Sequence, residues 1–359
     1  MSSRTDENPD GRRVLTYVDA LIEGAAQEMD RDPSVFIIGL NVDDHRAIMG
    51  STRGLVRRFG HERVMDTPLS EDAVTGICIG AAMAGLRPIH VHIRSDFLLL
   101  CMNQLVNMAA KIHFTSAGAS RVPMVVRSVI GRSWGQGAQH SQGLHALFAH
   151  IPGLKVVAPA TAHDAKGCLI GAIRDNNPVI FVEHRLLYPT ESFVDEAPYT
   201  VPFGQARVCA RGNDITLVGI SHGVVECLKA AELLREVGIL AEVVDPISLY
   251  PLDGETIVSS VARTGRVLVT DSAWTFCGMG AEIVAQVAES NRARGARAGR
   301  MGFAPTPCPT TPSLEKAFYP NPVTVAKTAY RMVRPDGPDW EPSPEFTRMA
   351  HQKSFKGPF

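Results

Sequence analysis

An excess of either charge is missing from this sequence: 36 lysines and arginines stand against 37 aspartates and glutamates in 359 residues. Without a net field, a general binder of nucleic acid or of anionic membranes is excluded as the leading class. Long apolar runs are missing too. The longest apolar and glycine-rich stretch, residues 76–86, stops at Arg87-Pro88, well short of the roughly 20 residues that span a bilayer. The seven cysteines (Cys78, Cys101, Cys168, Cys209, Cys227, Cys277 and Cys308) are odd in number and contain no C-x-x-C pair. That pattern fits free thiols in a reducing compartment rather than a disulfide framework. Met1 to Arg13 is polar and lacks the apolar core of a secretory signal, so a cytoplasmic protein outside the membrane is expected. No internal repeat of about 20 to 50 residues is visible.

What is present is alternation of helix and strand. Tyr17 to Met29 has apolar residues at helical spacing, and Ser34 to Leu40 is a short β-branched run of the kind that forms a buried parallel strand. Val122 to Ile130, Leu154 to Ala158 and Pro178 to Glu183 read as further strands, with helices over Phe97 to Thr115, Leu144 to His150 and Ala162 to Arg174. Between Glu183 and Arg207 the text turns proline-rich, and Pro189, Pro198 and Pro202 break regular elements. A second alternating series follows, from the strand Asp214 to Ile220 to the helix Gly278 to Ser290. The fold class is therefore α/β, with two domains on parallel or mixed sheets over residues 14–190 and 203–334. Residues 335–359, rich in proline and charge, are expected as a flexible tail. The basic run Arg292, Arg294, Arg297, Arg300 reads as a solvated connection after a helix.

Two segments carry candidate chemistry. In Asp66-Thr67-Pro68-Leu69-Ser70-Glu71, Thr67 is placed to cap a helix with Pro68 at its first position, which puts Glu71 in or just after the first turn. Glu71 is then either a carboxylate favoured by the helix dipole or a group that shares a proton with a ligand nitrogen. Gly76, Gly80 and Gly85 in the same helix invite a closely packed neighbour. The second segment, Gly131 to Gln142, is a glycine-rich loop between a strand and a helix and carries His140. Loops at the carboxyl ends of parallel strands are where α/β sheets bind ligands. This loop contains neither Gly-x-x-x-x-Gly-Lys nor Gly-x-Gly-x-x-Gly, so neither a phosphate-binding P-loop nor a dinucleotide fingerprint applies. His90 and His92 share one strand face without a third metal ligand or a His-Glu-x-x-His pattern, and are read as strand histidines at a polar interface.

Taken together, the chain resembles the beta subunit of the thiamin-diphosphate-dependent decarboxylating component of 2-oxoacid dehydrogenases, in the transketolase-like superfamily. The resemblance runs from about Leu15 to Val333 on separated strings in the family's order. They include STRGL at Ser51 to Leu55, the segment ending in DTPLSE at Glu71, GAAMAGLRPI at Gly80 to Ile89, NQLVNMAAK at Asn103 to Lys111 and AQHSQ at Ala138 to Gln142. AHIPGLKVVAPATAHDAKG at Ala149 to Gly167, AIRDNNPVIFVEH at Ala172 to His184 and PLD at Pro251 to Asp253 complete the set. The resemblance implies a pyrimidine-binding domain followed by a transketolase C-terminal-like domain. It implies that Glu71 hydrogen-bonds the aminopyrimidine ring of thiamin diphosphate, that Phe97 packs on that ring, and that His140 faces substrate and acyl acceptor. It further implies a structural potassium ion on the main-chain carbonyls of Met124, Ala172, Ile173, Asp175 and Asn177.

The family holds the diphosphate through magnesium on a Gly-Asp-Gly motif, which this chain lacks. The resemblance therefore implies a separate alpha subunit with that motif, a second beta subunit to complete a heterotetramer, and a lipoyl acyltransferase as acceptor. Two departures stand out. Gly39-Leu40-Asn41-Val42 replaces the family's Gly-Glu-Asp-Val, and Val91 stands where a glutamate is common, so the acidic link between active sites is in doubt. Arg94 and Arg132-Ser133-Trp134 add cations and an aromatic near the expected pocket. The leading expectation is 2-oxoacid decarboxylation with acyl transfer to a lipoyl group. The alternative is a carboligase that delivers the activated aldehyde to a carbonyl compound. A subunit that has lost its chemistry is argued against by the retained Glu71, Phe97 and His140.

Overall fold

The protein is described here by a computed structural model, covering residues 12–44, 47–132 and 135–352. Described residues 12–131 and 147–203 form one compact unit, and 132–146 with 204–352 form a second. The glycine-rich loop thus clusters with the second unit although its sequence interrupts the first.

The first unit contains α1 (Tyr17–Arg31), β1 (Val35–Gly39), β2 (Val64–Asp66), α2 (Glu71–Met83), β3 (Arg87–His92), β4 (Val125–Ile130), β5 (Lys155–Val157), α3 (Ala162–Arg174) and β6 (Val179–His184). Its strands lie in the order β5-β6-β4-β3-β1-β2 and pair in parallel. Every residue of β1, β4 and β6 is buried, which explains why β1 and β6 read as nearly unbroken apolar runs rather than as alternating patterns. Helix α1 begins at Thr16, whose side chain accepts from the Asp19 amide at 3.2 Å, and packs on α3. Thr161 caps α3 in the same way.

A close approach fixes the end of β1. A Cβ added at Gly39 would lie 2.4 Å from the Val91 carbonyl oxygen, so only glycine lets the two chains pass at this register. The proline-rich segment beyond β6 is held from inside. Lys166 on α3 is fully buried and donates to the carbonyls of Asp195, Glu196 and Ala197 at 2.6, 3.0 and 3.2 Å and to Glu23 at 2.7 Å. One ammonium thereby satisfies backbone that no sheet reaches.

The second unit contains β7 (Arg207–Ala210), β8 (Ile215–Gly219), α4 (His222–Leu234), β9 (Ala241–Asp245), α5 (Gly254–Thr264), β10 (Arg266–Trp274), α6 (Met279–Glu289), β11 (Arg297–Phe303), α7 (Pro322–Val333) and α8 (Pro344–Gln352). Its sheet runs β11-β10-β8-β9-β7, parallel except where β7 pairs antiparallel to β9. Two expectations need correcting. Arg297 and Arg300, read as part of a solvated connection, lie in edge strand β11, where charged side chains are tolerated and discourage further pairing. Residues 335–352, read as a flexible tail, fold back on this unit. Trp340 packs on Tyr330 with ring centroids 5.1 Å apart, the Ser343 amide donates to Glu236 at 3.0 Å, and α8 lies against α4. The remainder of that tail, from residue 353, lies outside the described residues. No single helix among the described residues is long and apolar enough to cross a membrane.

Candidate active site

Glu71 is the first residue of α2, with Ser70 as the N-cap. The helix therefore starts later than Thr67-Pro68 suggests. The Thr67 amide is spent on the Gly39 carbonyl at 3.2 Å, which keeps residues 67–69 in the connection from β2, and the Ser70 carbonyl accepts the first helical bond from Val74 at 3.0 Å. Glu71 is half-buried. Among the described residues no group donates a hydrogen bond to its carboxylate, so a half-buried acceptor is left at a helix N-terminus, where partial positive charge favours an anion.

Around it the surface is apolar and open. A Cβ added at Gly76 or Gly80 would meet nothing within 4 Å. Leu69, Ile77 and Met83 are 73, 60 and 51% exposed, and Leu100 is 60% exposed on the neighbouring segment. That segment is not the single helix expected over Phe97 to Thr115. It is a 3-10 turn over Ser95–Cys101, a π-type stretch over Asn103–Ala109 and a short α-helix over Ala110–Thr115. The 3-10 turn packs on α2 and carries half-buried Phe97. Glu71 and Phe97 are thus brought onto neighbouring elements of one unit.

His90 and His92 do not face an interface. Both are buried, with their rings 4.2 Å apart. Burial pulls His90 down to about 4 and His92 well below the ordinary imidazole range. Val91 between them is buried, and Leu40 is half-buried.

His140 belongs to the second unit. It is half-buried, and its amide donates to the Gly137 carbonyl at 3.3 Å. The glycines of its loop serve packing. A Cβ at Gly143 would lie 1.9 Å from the Ser272 carbonyl oxygen, and one at Gly135 would lie 2.7 Å from that of Thr310. His145, which sequence reasoning did not single out, is fully buried 3.0 Å from Asp271 at the end region of β10 and anchors the loop. Arg132 stacks over the Tyr319 ring at 4.9 Å; Ser133 and Trp134 lie outside the described residues. The charge of Arg132 also reaches α4, where His222 and Glu226 approach to 3.4 Å. Burial pushes Glu226 up to about 7 and His222 down to about 3.

The carbonyls expected around potassium are partly engaged. Arg87 Nη1 donates to both Ile173 and Asp175 carbonyls at 2.9 Å. The Met124 carbonyl accepts from Val179 at 3.0 Å and that of Ala172 from Asp175 at 3.3 Å. The Ile173 and Asp175 carbonyls therefore converge on the Arg87 guanidinium.

The family models for the transketolase pyrimidine-binding domain and the transketolase C-terminal domain match residues 13–191 and 204–325. The chain belongs to the transketolase-like family. Within that family it is 42% identical over 335 residues to the beta subunit of acetoin:2,6-dichlorophenolindophenol oxidoreductase of Cupriavidus necator, covering 90% of this chain and 98% of that protein. It is 40% identical to the mitochondrial pyruvate dehydrogenase E1 component subunit beta of Caenorhabditis elegans, covering 88% of this chain and 91% of that one. A solved structure titled split gene transketolase, inactive beta4 tetramer, superposes with a TM-score of 0.74 at 18% identity, over 89% of this chain and 98% of that one. At that identity the likeness concerns the fold of this family member alone.

Proposed function

We propose that this chain is the beta subunit of a thiamin-diphosphate-dependent 2-oxoacid decarboxylating dehydrogenase, working with an alpha subunit. The observation that carries the reading is Glu71, a half-buried carboxylate with no donor among the described residues, beside an open face of α2 and the turn bearing Phe97. This donor set fits the aminopyrimidine end of the cofactor. The acid takes or gives a proton at a ring nitrogen, and the aromatic and apolar side chains cover a flat ring. When bound, thiamin diphosphate supplies the carbon nucleophile that attacks the 2-oxoacid. Glu71 holds the proton that makes this possible, Phe97 orients the ring and sheds water, and His140 moves a proton or steadies charge where the acyl group leaves for its acceptor.

Magnesium and diphosphate belong to the alpha subunit in this reading, because this chain contains no Gly-Asp-Gly. A second beta subunit and a lipoyl acyltransferase complete the proposed assembly, in the cytoplasm. The proposed potassium site is the set of main-chain carbonyls of Met124, Ala172, Ile173, Asp175 and Asn177, of which Ile173 and Asp175 also accept from Arg87.

The test is reconstitution. Mixed with an alpha subunit that carries Gly-Asp-Gly, the chain should decarboxylate a 2-oxoacid and acylate lipoamide, whereas alone it should do neither. Turnover by the isolated chain would sink the divided-site argument. In the assembled enzyme, His140→Ala should slow lipoamide acylation by roughly 10² or more, the scale of a lost acid-base group. Cofactor affinity should change little; a variant impaired only in cofactor affinity would count against the assigned role.

A further inference from the structure

The buried histidines of β3 have no part in the chemistry above, yet one of them is wired to Glu71. The Thr75 hydroxyl, one turn into α2, lies 2.7 Å from the Glu71 carbonyl oxygen and 3.1 Å from His90 Nε2. His90 Nδ1 lies 3.3 Å from the carbonyl of Ile38, its register partner on β1. Thr75 is also a hydrogen-bond neighbour of Cys101, which ends the turn bearing Phe97. A single hydroxyl thus touches the helix of Glu71, a central strand and the Phe97 turn.

The protonation of His90 decides what that contact does. Burial at 2% exposure keeps the ring neutral, so it has one N–H. With that proton on Nε2 the ring donates to Thr75, and the threonine keeps its bond to the Glu71 carbonyl. With the proton on Nδ1 the ring donates to Ile38, and Nε2 accepts the single hydroxyl proton of Thr75, which then no longer goes to the Glu71 carbonyl. Either tautomer preserves the bond between Thr75 and His90. Because the bond is buried at both ends, breaking it leaves a polar group without a partner, and the loss is the full desolvation cost.

We propose that His90 is a positioning residue that, through Thr75, ties the first turn of α2 to the central strands and so fixes where the Glu71 carboxylate stands. The inference rests on the reading of Glu71 given above. It differs from a general core role because Thr75 is only four residues from Glu71, and its hydroxyl is removable without deleting bulk, as in Thr75→Val.

The test begins on the complex with the alpha subunit before cofactor is added. Backbone amide hydrogen exchange at Val74 and Thr75 should quicken about tenfold in His90→Ala and in Thr75→Val, as expected for loss of one buried hydrogen bond. The double variant should be no faster than either single one. Thr75→Ser keeps the hydroxyl, and His90→Gln carries an amide toward the Nε2 position. Both should restore most of the protection, which keeps the test valid if His90→Ala folds poorly. After cofactor is added, thiamin C2 proton exchange should slow in the same two variants and recover in the same two rescues. Unchanged amide exchange in Thr75→Val, or additive effects in the double variant, would overturn the proposal. If Glu71→Gln leaves C2 exchange intact, the reading of Glu71 fails and this proposal falls with it. If Glu71→Gln abolishes C2 exchange while the Thr75 and His90 variants do nothing, only the positioning role fails.

Discussion

Replacing Glu71 with glutamine in the assembled enzyme should slow C2 proton exchange of bound thiamin diphosphate by at least about 10², the lower range for loss of a proton-transfer group. Glutamine matches glutamate in size and in helix propensity. What it loses is the ability to take and return a proton at a ring nitrogen. The two meanings of Glu71 separate cleanly here. If its carboxylate only complements the helix dipole of α2, Glu71→Gln costs about 0.3–1 kcal/mol of stability and leaves exchange alone. If the carboxylate is the activating acid, stability barely changes and exchange collapses. The absence of any donor to this carboxylate among the described residues favours the second outcome, since a structural carboxylate at a helix start usually caps amides. Exchange of the C2 proton, followed by acid quench and proton resonance, reads the result directly. An unchanged rate would reject Glu71 as the activating group.

How far the sequence could foresee this site depends on what sort of information each part needs. The buried strands were legible because a parallel strand covered on both faces has to be apolar throughout, as in Val35–Gly39. The start of α2 was misplaced because Thr67-Pro68 carries the local signal of a capped helix. A longer-range contact, the Thr67 amide on the Gly39 carbonyl, overrides it. Strand β11 was hidden by its arginines, since an edge position asks for little apolar character. The tail was hidden by its proline and charge, although Trp340 alone supplies a ring that packs on Tyr330. His145 and Asp271 are 126 residues apart in the chain, and no spacing rule joins them. The carbonyl cluster near Asp175 is a matter of main chain rather than side chain, so resemblance could suggest the cation but not that Arg87 reaches two of its oxygens. Glu71 and Phe97 are proposed because their neighbouring strings are recognisable. The tie from Glu71 through Thr75 to His90 needed coordinates.

Arg127→Met should unfold the chain more readily than any surface change, by about 3–5 kcal/mol, because it strands a buried carboxylate. Arg127 on β4 and Glu183 on β6 are both fully buried and meet through two bonds, Nε to Oε1 at 2.6 Å and Nη2 to Oε2 at 3.0 Å. The Tyr188 hydroxyl donates to Glu183 Oε2 at 2.6 Å, and burial, together with the carboxylate beside it, pushes the Tyr188 phenol well above its ordinary range. The pair ties the first half of β4 to the carboxyl end of β6. Just beyond, Gly131 passes His184 so closely that an added Cβ would sit 2.2 Å from the ring Nε2. A double variant, Arg127→Met with Glu183→Leu, removes both charges and replaces them with apolar volume. It should recover at least half of the loss, since an apolar pair of similar size often equals a buried ion pair in stability. Urea unfolding of Arg127→Met, Glu183→Leu, the double variant and the parent gives the cycle. A loss below about 1 kcal/mol in Arg127→Met, the range of an exposed ion pair, would mean that water reaches the pair. A double variant as weak as the single would mean that shape, not charge, holds these strands together.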